Sequence, residues 1–266
     1  MLDVTSRNYS LGSAALLAVA ADLAYEDTAQ HLANAMAELG LTGVEVTLIK
    51  QQDTQGMLVL SDAAILCAFR GTTANAEDFA VDLGTAFVPG PEGQVHQGFW
   101  EDSGLVWPQF AAGLRAALTA KPRPIFLTGH SLGGALVAMI AARLYHEAPD
   151  IAAAAGGRIS AYTYGQPRVG DSDFGKWLMG QLGPYHFRHV NADDIVPRVP
   201  PEWPGYAHFG QQSWFDQSGA VTIATGEPPA YGPAGASVQD HFMANYVRLC
   251  AGAAGFTLPA DTARVA

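Results

Sequence analysis

The chain has 266 residues but little cysteine, little positive charge and no long apolar run, and each shortage removes a class of function. Only two cysteines occur, Cys67 in "AAILCAFRG" and Cys250 in "VRLCAG". Two cysteines make no disulfide scaffold, and their apolar settings predict two separate buried thiols. No Cys/His cluster has the spacing of a zinc site, so no metal is expected. Lysine and arginine total 14 against 25 acidic residues, a formal net charge of -11 with no basic cluster. That balance argues against nucleic acid and against an anionic membrane surface as partners. The most apolar stretch, "LGSAALLAVAADLAY" from Leu11 to Tyr25, is broken by Asp22. Only about ten of its residues are strongly apolar, too few to span a bilayer, so no stable membrane insertion is expected. With Arg7 as a weak positive flank it superficially resembles the apolar part of a signal peptide. Leu16, Val19, Ala20 and Leu23 nevertheless have helical spacing, which predicts the first helix of a soluble domain. A secreted mature form and a cytoplasmic protein both fit. The 29 glycines and 16 prolines form no repeat and no low-complexity block.

What is present is an alternation of helical and extended patterns. Helices are expected over 12–25, 28–39, 100–119, 132–147, 173–182 and 239–250, the third broken or started near Pro108. Strands are expected over 43–49, 57–60, 63–69, 124–128, 158–164 and 185–190, with short ones near 206–210 and 220–224. Strands separated by helices imply right-handed crossovers and a mostly parallel central sheet with helices on both faces, the α/β class. The adjacent runs at 43–69 suggest a meander at one edge. No linker interrupts the pattern, so residues 1–266 are expected to form a single domain.

One stretch carries chemistry. "TGHSLGGA", residues 128–135, sets Ser131 in G-x-S-x-G between an expected strand and an expected helix. Such a turn is tight enough to demand small residues at 129 and 133. It lifts the hydroxyl above the sheet, at a helix N-terminus that favours a developing anion. A serine hydroxyl needs a histidine base and an acid that orients the base. In a strand-serine-helix architecture the chain order is Ser, then Asp or Glu, then His. The acid candidates are Asp193 and Asp194 in "NADD", at the C-terminal end of a strand, where α/β active sites form. The base candidates are His208, in an apparently extended stretch, and His241, where a loop becomes the last helix; the loop position favours His241. His130 adjoins the serine but is expected to point away from it. The Leu132 N–H is one donor for the oxyanion, and Thr72 in "AFRGTT" offers a second.

These stretches resemble the class 3 (fungal-type) lipases, a family of the α/β-hydrolase fold. "FRGT", "VHQGF" (95–99), "GHSLGGALV" (129–137), "YTYGQPRVG" (162–170), "DIVPRVPP" (194–201) and "DHFMANY" (240–246) match the family's motifs in order. The resemblance covers roughly residues 10 to 250. It implies Ser131 as nucleophile, His241 as base, and Asp194 rather than Asp193 as acid, because the family's acid directly precedes "IVP". It implies Thr72 and Leu132 as oxyanion donors and a lid at about Thr73 to Gly84. Phe79 stands where many members have tryptophan, and the disulfides of many secreted members have no counterpart here. Phe79 and Leu83 lie four apart, so they share one helical face suited to covering an acyl pocket. The implied activity is cofactor-free hydrolysis of carboxylic esters, commonly acylglycerols, with transient contact at a lipid-water interface. Other acyl hydrolases or transacylases on the same triad, and a binding module of the same fold, are the competing readings.

Overall fold

The computed structural model describes residues 2–72, 83–230, 232 and 235–258. Its central sheet has eight strands: β1 (Glu45–Gln51), β2 (Thr54–Leu60), β3 (Ile65–Phe69), β6 (Ile125–His130), β7 (Ile159–Tyr164), β9 (His186–Asn191), β11 (Gln211–Phe215) and β12 (Val221–Thr225), in that spatial order. From β3 through β11 neighbours run parallel; β1, β2 and β12 add antiparallel edges. A smaller antiparallel sheet orders β10 (Tyr206–Ala207), β8 (Gly170–Asp171), β5 (Gln94–His96) and β4 (Phe87–Pro89).

Both faces of the main sheet are buried, and the strand sequences show it. Ile65, Cys67 and Phe69 of β3 join one apolar cluster while Leu66 and Ala68 join another. Side chains alternate across a strand, so a strand apolar at every position must be covered on both faces. The first cover consists of α3 (Gln97–Ala120), α4 (Leu132–His146), α5 (Pro149–Ala154) and α6 (Ser172–Leu182). The second consists of α1 (Leu11–Leu23), α2 (Ala29–Glu38) and α7 (Met243–Ala254). The stretch that resembles a signal peptide is thus α1, buried along almost its whole length and packed on α7. An apolar helix with no polar face belongs in an interior.

Three expectations need correction. α3 runs unbroken through Pro108. Val106, Trp107, Phe110 and Ala111 are buried on either side of the proline, so packing holds the helix together there. Two turns before it, the buried Arg143 donates to Trp100 O at 2.8 Å and lies 3.9 Å over the Trp100 ring, tying this helix to the one that carries Arg143. The strand expected at 206–210 stops at Ala207 in the small sheet, and the main sheet continues instead through Gln211–Phe215 beside β9. The last helix begins at Met243, after a 3-10 turn at Gln239–His241.

Among the described residues no helix is long and apolar enough to cross a membrane. Cys67 and Cys250 are both free and buried.

Candidate active site

β6 ends at His130 and α4 starts at Leu132, leaving Ser131 alone between them. Ser131 has φ 58° and ψ -127°, a conformation that side-chain-bearing residues rarely adopt. Its N–H donates to Tyr164 O on β7 at 2.9 Å, which pins the turn to the sheet. The flanking glycines are sterically required. A Cβ at Gly129 would overlap the Gly133 carbonyl, and one at Gly133 would overlap the Phe69 carbonyl at the end of β3. Leu132 opens α4, so its N–H has no partner one turn back and faces outward with the positive end of the helix dipole.

Asp194 follows β9 and is fully buried. The loops carrying Asp194 and His241 are stitched together: Ile195 N–H donates to Ser237 O at 3.2 Å and Ser237 N–H to Asp193 O at 2.8 Å. Three donors converge on the Asp194 carboxylate. His241 Nδ1–H reaches Oδ1 at 3.0 Å and Oδ2 at 2.9 Å, the Tyr246 hydroxyl reaches Oδ2 at 2.6 Å, and Val196 N–H reaches Oδ1 at 2.8 Å. Burying a carboxylate is costly unless such partners are present. Burial, reinforced by Asp194, pushes the Tyr246 phenol well above its ordinary pKa, so it remains a donor. With Nδ1 committed to Asp194, His241 Nε2 carries the lone pair, and this buried atom has no hydrogen-bond partner among the described residues.

Asp193 turns the other way. Its carboxylate accepts from Gly232 N–H at 2.7 Å and from Gln217 Nε2 at 3.1 Å, holding the loop ahead of the base. His208 is directed to the Pro197 carbonyl at 2.6 Å, and burial, then Arg188, holds its imidazole neutral. Neither residue joins the Ser131 site. Thr72 is half-buried next to Gly71, whose Cβ, if present, would lie 3.1 Å from the Ser131 Cβ. Leu83 is partly buried against the α3/α4 layer. Phe79 and the stretch 73–82 lie outside the described residues. Among the described residues no three His, Cys, Asp or Glu side chains are grouped to hold a metal ion.

Several contributors do not stand out in the sequence. Tyr246 reads as an ordinary core residue of a helix. Gly165, at φ 57°, lies where a Cβ would come within 2.7 Å of the His241 ring and 2.9 Å of Asp194 Oδ2. Its motif "YTYGQPRVG" was the available signal. His130 does turn from the serine, yet it is tied to the base: its Nε2 donates to the His241 carbonyl at 2.7 Å.

Comparison with known proteins gives this arrangement a family. Residues 66–203 match the family described as Lipase (class 3). A lipase of Rhizomucor miehei is 32% identical over 177 residues, 64% of this chain and 47% of that protein. Secreted mono- and diacylglycerol lipase 1 of Fusarium solani is 39% identical over 127 residues, 46% of this chain and 34% of that protein. The chain therefore spans less than half the length of these curated relatives. The crystal structure of a lipase from Rhizopus microsporus var. chinensis superposes with a TM-score of 0.74 at 26% identity, covering 90% of each chain. Lipase II of Rhizopus niveus gives 0.73 at 27% identity over 87% of this chain and 92% of that one. With the elbow serine, the parallel sheet beneath it and the matched motifs all in register, the fold is that of the α/β-hydrolases and the chain belongs to the class 3 lipase family.

Proposed function

We propose that the protein hydrolyses carboxylic esters, with acylglycerols as the substrate class, using Ser131 as nucleophile, His241 as base and Asp194 as the acid that orients it. The observation that carries this reading is the buried Asp194–His241 pair with its unpartnered Nε2, packed against Gly165, whose neighbour Tyr164 accepts the N–H of the strained elbow serine. His241 lies beyond the matched span 66–203, so its role rests on geometry. In the first half-reaction His241 Nε2 takes the Ser131 proton as Oγ bonds to the ester carbonyl carbon. The carbonyl oxygen receives the displaced electron pair and is held by the N–H groups of Leu132 and Thr72. Loss of one such donor typically costs ~10²–10³ in turnover. When the C–O bond to the alcohol breaks, the leaving oxygen takes the proton from His241. Water then repeats the cycle on the acyl-serine, releasing the carboxylic acid and restoring Ser131.

Acylglycerol is favoured because relatives include a mono- and diacylglycerol lipase and a solved triacylglycerol lipase whose catalytic centre is a serine protease triad, the latter at 26% identity and a TM-score of 0.70. The test is hydrolysis of p-nitrophenyl esters from acetate to palmitate alongside emulsified triacylglycerol. Wild type should cleave esters and be blocked by a fluorophosphonate on Ser131. Ser131→Ala should lose up to ~10⁶-fold in turnover, since triad members act as a unit. Retained hydrolysis by Ser131→Ala would overturn the reading. Contact with a lipid surface through the segment carrying Phe79 and Leu83 belongs to the same proposal. Phe79→Ser should then lose more activity on emulsified triacylglycerol than on dissolved short-chain esters, and equal loss on both removes the lid.

A further inference from the structure

Behind the nucleophile runs a short chain of hydrogen bonds that the reaction steps do not use. The Tyr25 hydroxyl donates to His130 Nδ1 at 2.9 Å, and His130 Nε2 donates to the His241 carbonyl at 2.7 Å. At its other end, the Tyr25 hydroxyl packs against Gly71, where an added Cβ would overlap it. Each link therefore ends on a residue next to the chemistry. Gly71 precedes the oxyanion candidate Thr72, His130 precedes Ser131, and the last acceptor is the backbone of the base itself. The His130 and His241 rings also face one another, with centroids 4.4 Å apart and planes inclined by 31°.

We propose that Tyr25 and His130 are positioning residues for ester hydrolysis, a strap that fixes the base loop at His241 against the oxyanion loop at Gly71–Thr72. The proposal rests on the Ser131–Asp194–His241 reading above. Only one arrangement of protons closes the strap. The His241 carbonyl can only accept, so the neutral His130 ring is left with Nδ1 as the acceptor of the Tyr25 proton. His130 must then carry its proton on Nε2, where it meets the His241 carbonyl. With the proton on Nδ1, two lone pairs would oppose each other across the 2.7 Å contact between His130 Nε2 and the His241 carbonyl, and the base loop would move. Burial, then the neighbouring His241 ring, holds the His130 imidazole well below its ordinary pKa. A neutral ring there does not oppose the positive charge that His241 gains during turnover. The main-chain anchor complements Asp194, which holds the same imidazole from its Nδ1 side.

Two measurements test the strap. On the unaltered protein, ¹⁵N NMR of the histidines should give His130 in the Nε2–H form near neutral pH; an Nδ1–H or doubly protonated His130 would overturn the proposal. In kinetics on a water-soluble p-nitrophenyl ester, Tyr25→Phe should lower kcat by roughly tenfold, with KM changed by less than about twofold, because a displaced base penalises the transition state and spares substrate binding. His130→Phe, which keeps a ring and loses the donor, should do the same. His130→Gln, which restores an N–H towards the His241 carbonyl, should recover part of the loss. The Tyr25→Phe/His130→Phe double variant should lose no more than the worse single variant, since both cut one chain. Losses that multiply, or kcat within about twofold of wild type in both single variants, would overturn the strap. Activity surviving Ser131→Ala would instead overturn the triad. An enzyme killed by Ser131→Ala but indifferent to Tyr25→Phe keeps the triad and loses the strap alone.

Discussion

Gly165 has no side chain, and in that empty space the acid and the base meet. A Cβ there would press on both the His241 ring and the Asp194 carboxylate, and φ is 57° besides. Gly165→Ala should therefore lower kcat by ~10–100-fold through misplacement of the pair. Gly156 is the control: its φ is 64°, but an added Cβ would meet only Arg158 Nε at 3.8 Å. Gly156→Ala should cost stability of about 1 kcal/mol from backbone strain and leave kcat alone. If both variants were equally active, the contact at Gly165 would be irrelevant to turnover. The two neighbouring acids separate in the same way. Asp194→Asn removes the acceptor of the His241 Nδ1 proton and should abolish most activity, by ~10⁴-fold on the precedent of other triads. Asp193→Asn touches only Gly232 and Gln217 and should leave kcat/KM within about threefold, because it contacts no reacting group. Local chemistry could not tell these carboxylates apart, since adjacent loop residues point in different directions and only their partners distinguish them. The motif order points to Asp194, because the family's acid directly precedes "IVP". Tyr246 and Gly165 stayed hidden for the opposite reason: a tyrosine in a helix and a glycine after a strand look alike whether they pack or position.

Among the elements, those read correctly were the ones whose pattern matched their burial. β3, β6 and β7 are buried on both faces, and α1 and α4 are apolar along most of their length, so length and punctuation identified them. β11 was missed because "QQSWF" starts with two glutamines, and its place beside β9 depends on chain return from far away. β4 and β5 are three-residue strands that exist only as partners of one another and of β8. Titratable groups buried in the elements set the response to pH. In β9, burial, then Arg188, pushes His186 down to about 3, and burial pushes His189 down to about 4. The unfolded chain takes up these protons near the ordinary histidine value of about 6.5, while the folded chain refuses them until far lower pH. Their contribution to stability is thus whole above pH ~6.5 and drains away as pH falls towards 4. Asp22 on α1 acts in the reverse sense. Burial, then Glu26, raises it to about 6, so its protonated form suits the fold and its charged form costs stability as pH rises through 6. Urea unfolding at pH 7 and pH 5 should show lower stability at pH 5, because His186 and His189, joined by the buried His130 and His208, outweigh the one aspartate. Asp22→Asn should gain about 2–3 kcal/mol at pH 8 and nothing at pH 4. Stability that is level from pH 7 to 4.5, or an Asp22→Asn gain of equal size at both pH values, would contradict this assignment.

At the scale of the whole molecule, the sheet is a wall between two separately packed layers, and one cysteine lies in each. Cys67 sits at the centre of β3, hydrogen-bonded between β2 and β6 and facing the α3/α4 layer. Cys250 sits on α7, four residues before that helix ends, and faces the α1 layer. Burial raises both thiols far above their ordinary pKa, so neither can react with a disulfide reagent until its surroundings open. The natural sequence therefore contains a clock for each side of the wall. In strong denaturant both thiols should react at once. Under native conditions, as reagent is raised, Cys67 should be modified only at the rate set by global unfolding, because exposing it means parting three strands. Cys250 should be modified sooner whenever α7 frays from its end without the sheet breaking. Mass spectrometry of partly modified protein would then find singly labelled chains carrying the tag on Cys250. Single labels on Cys67 instead would mean that the sheet gives way before the outer helices, and that the two layers do not open in the order their burial implies.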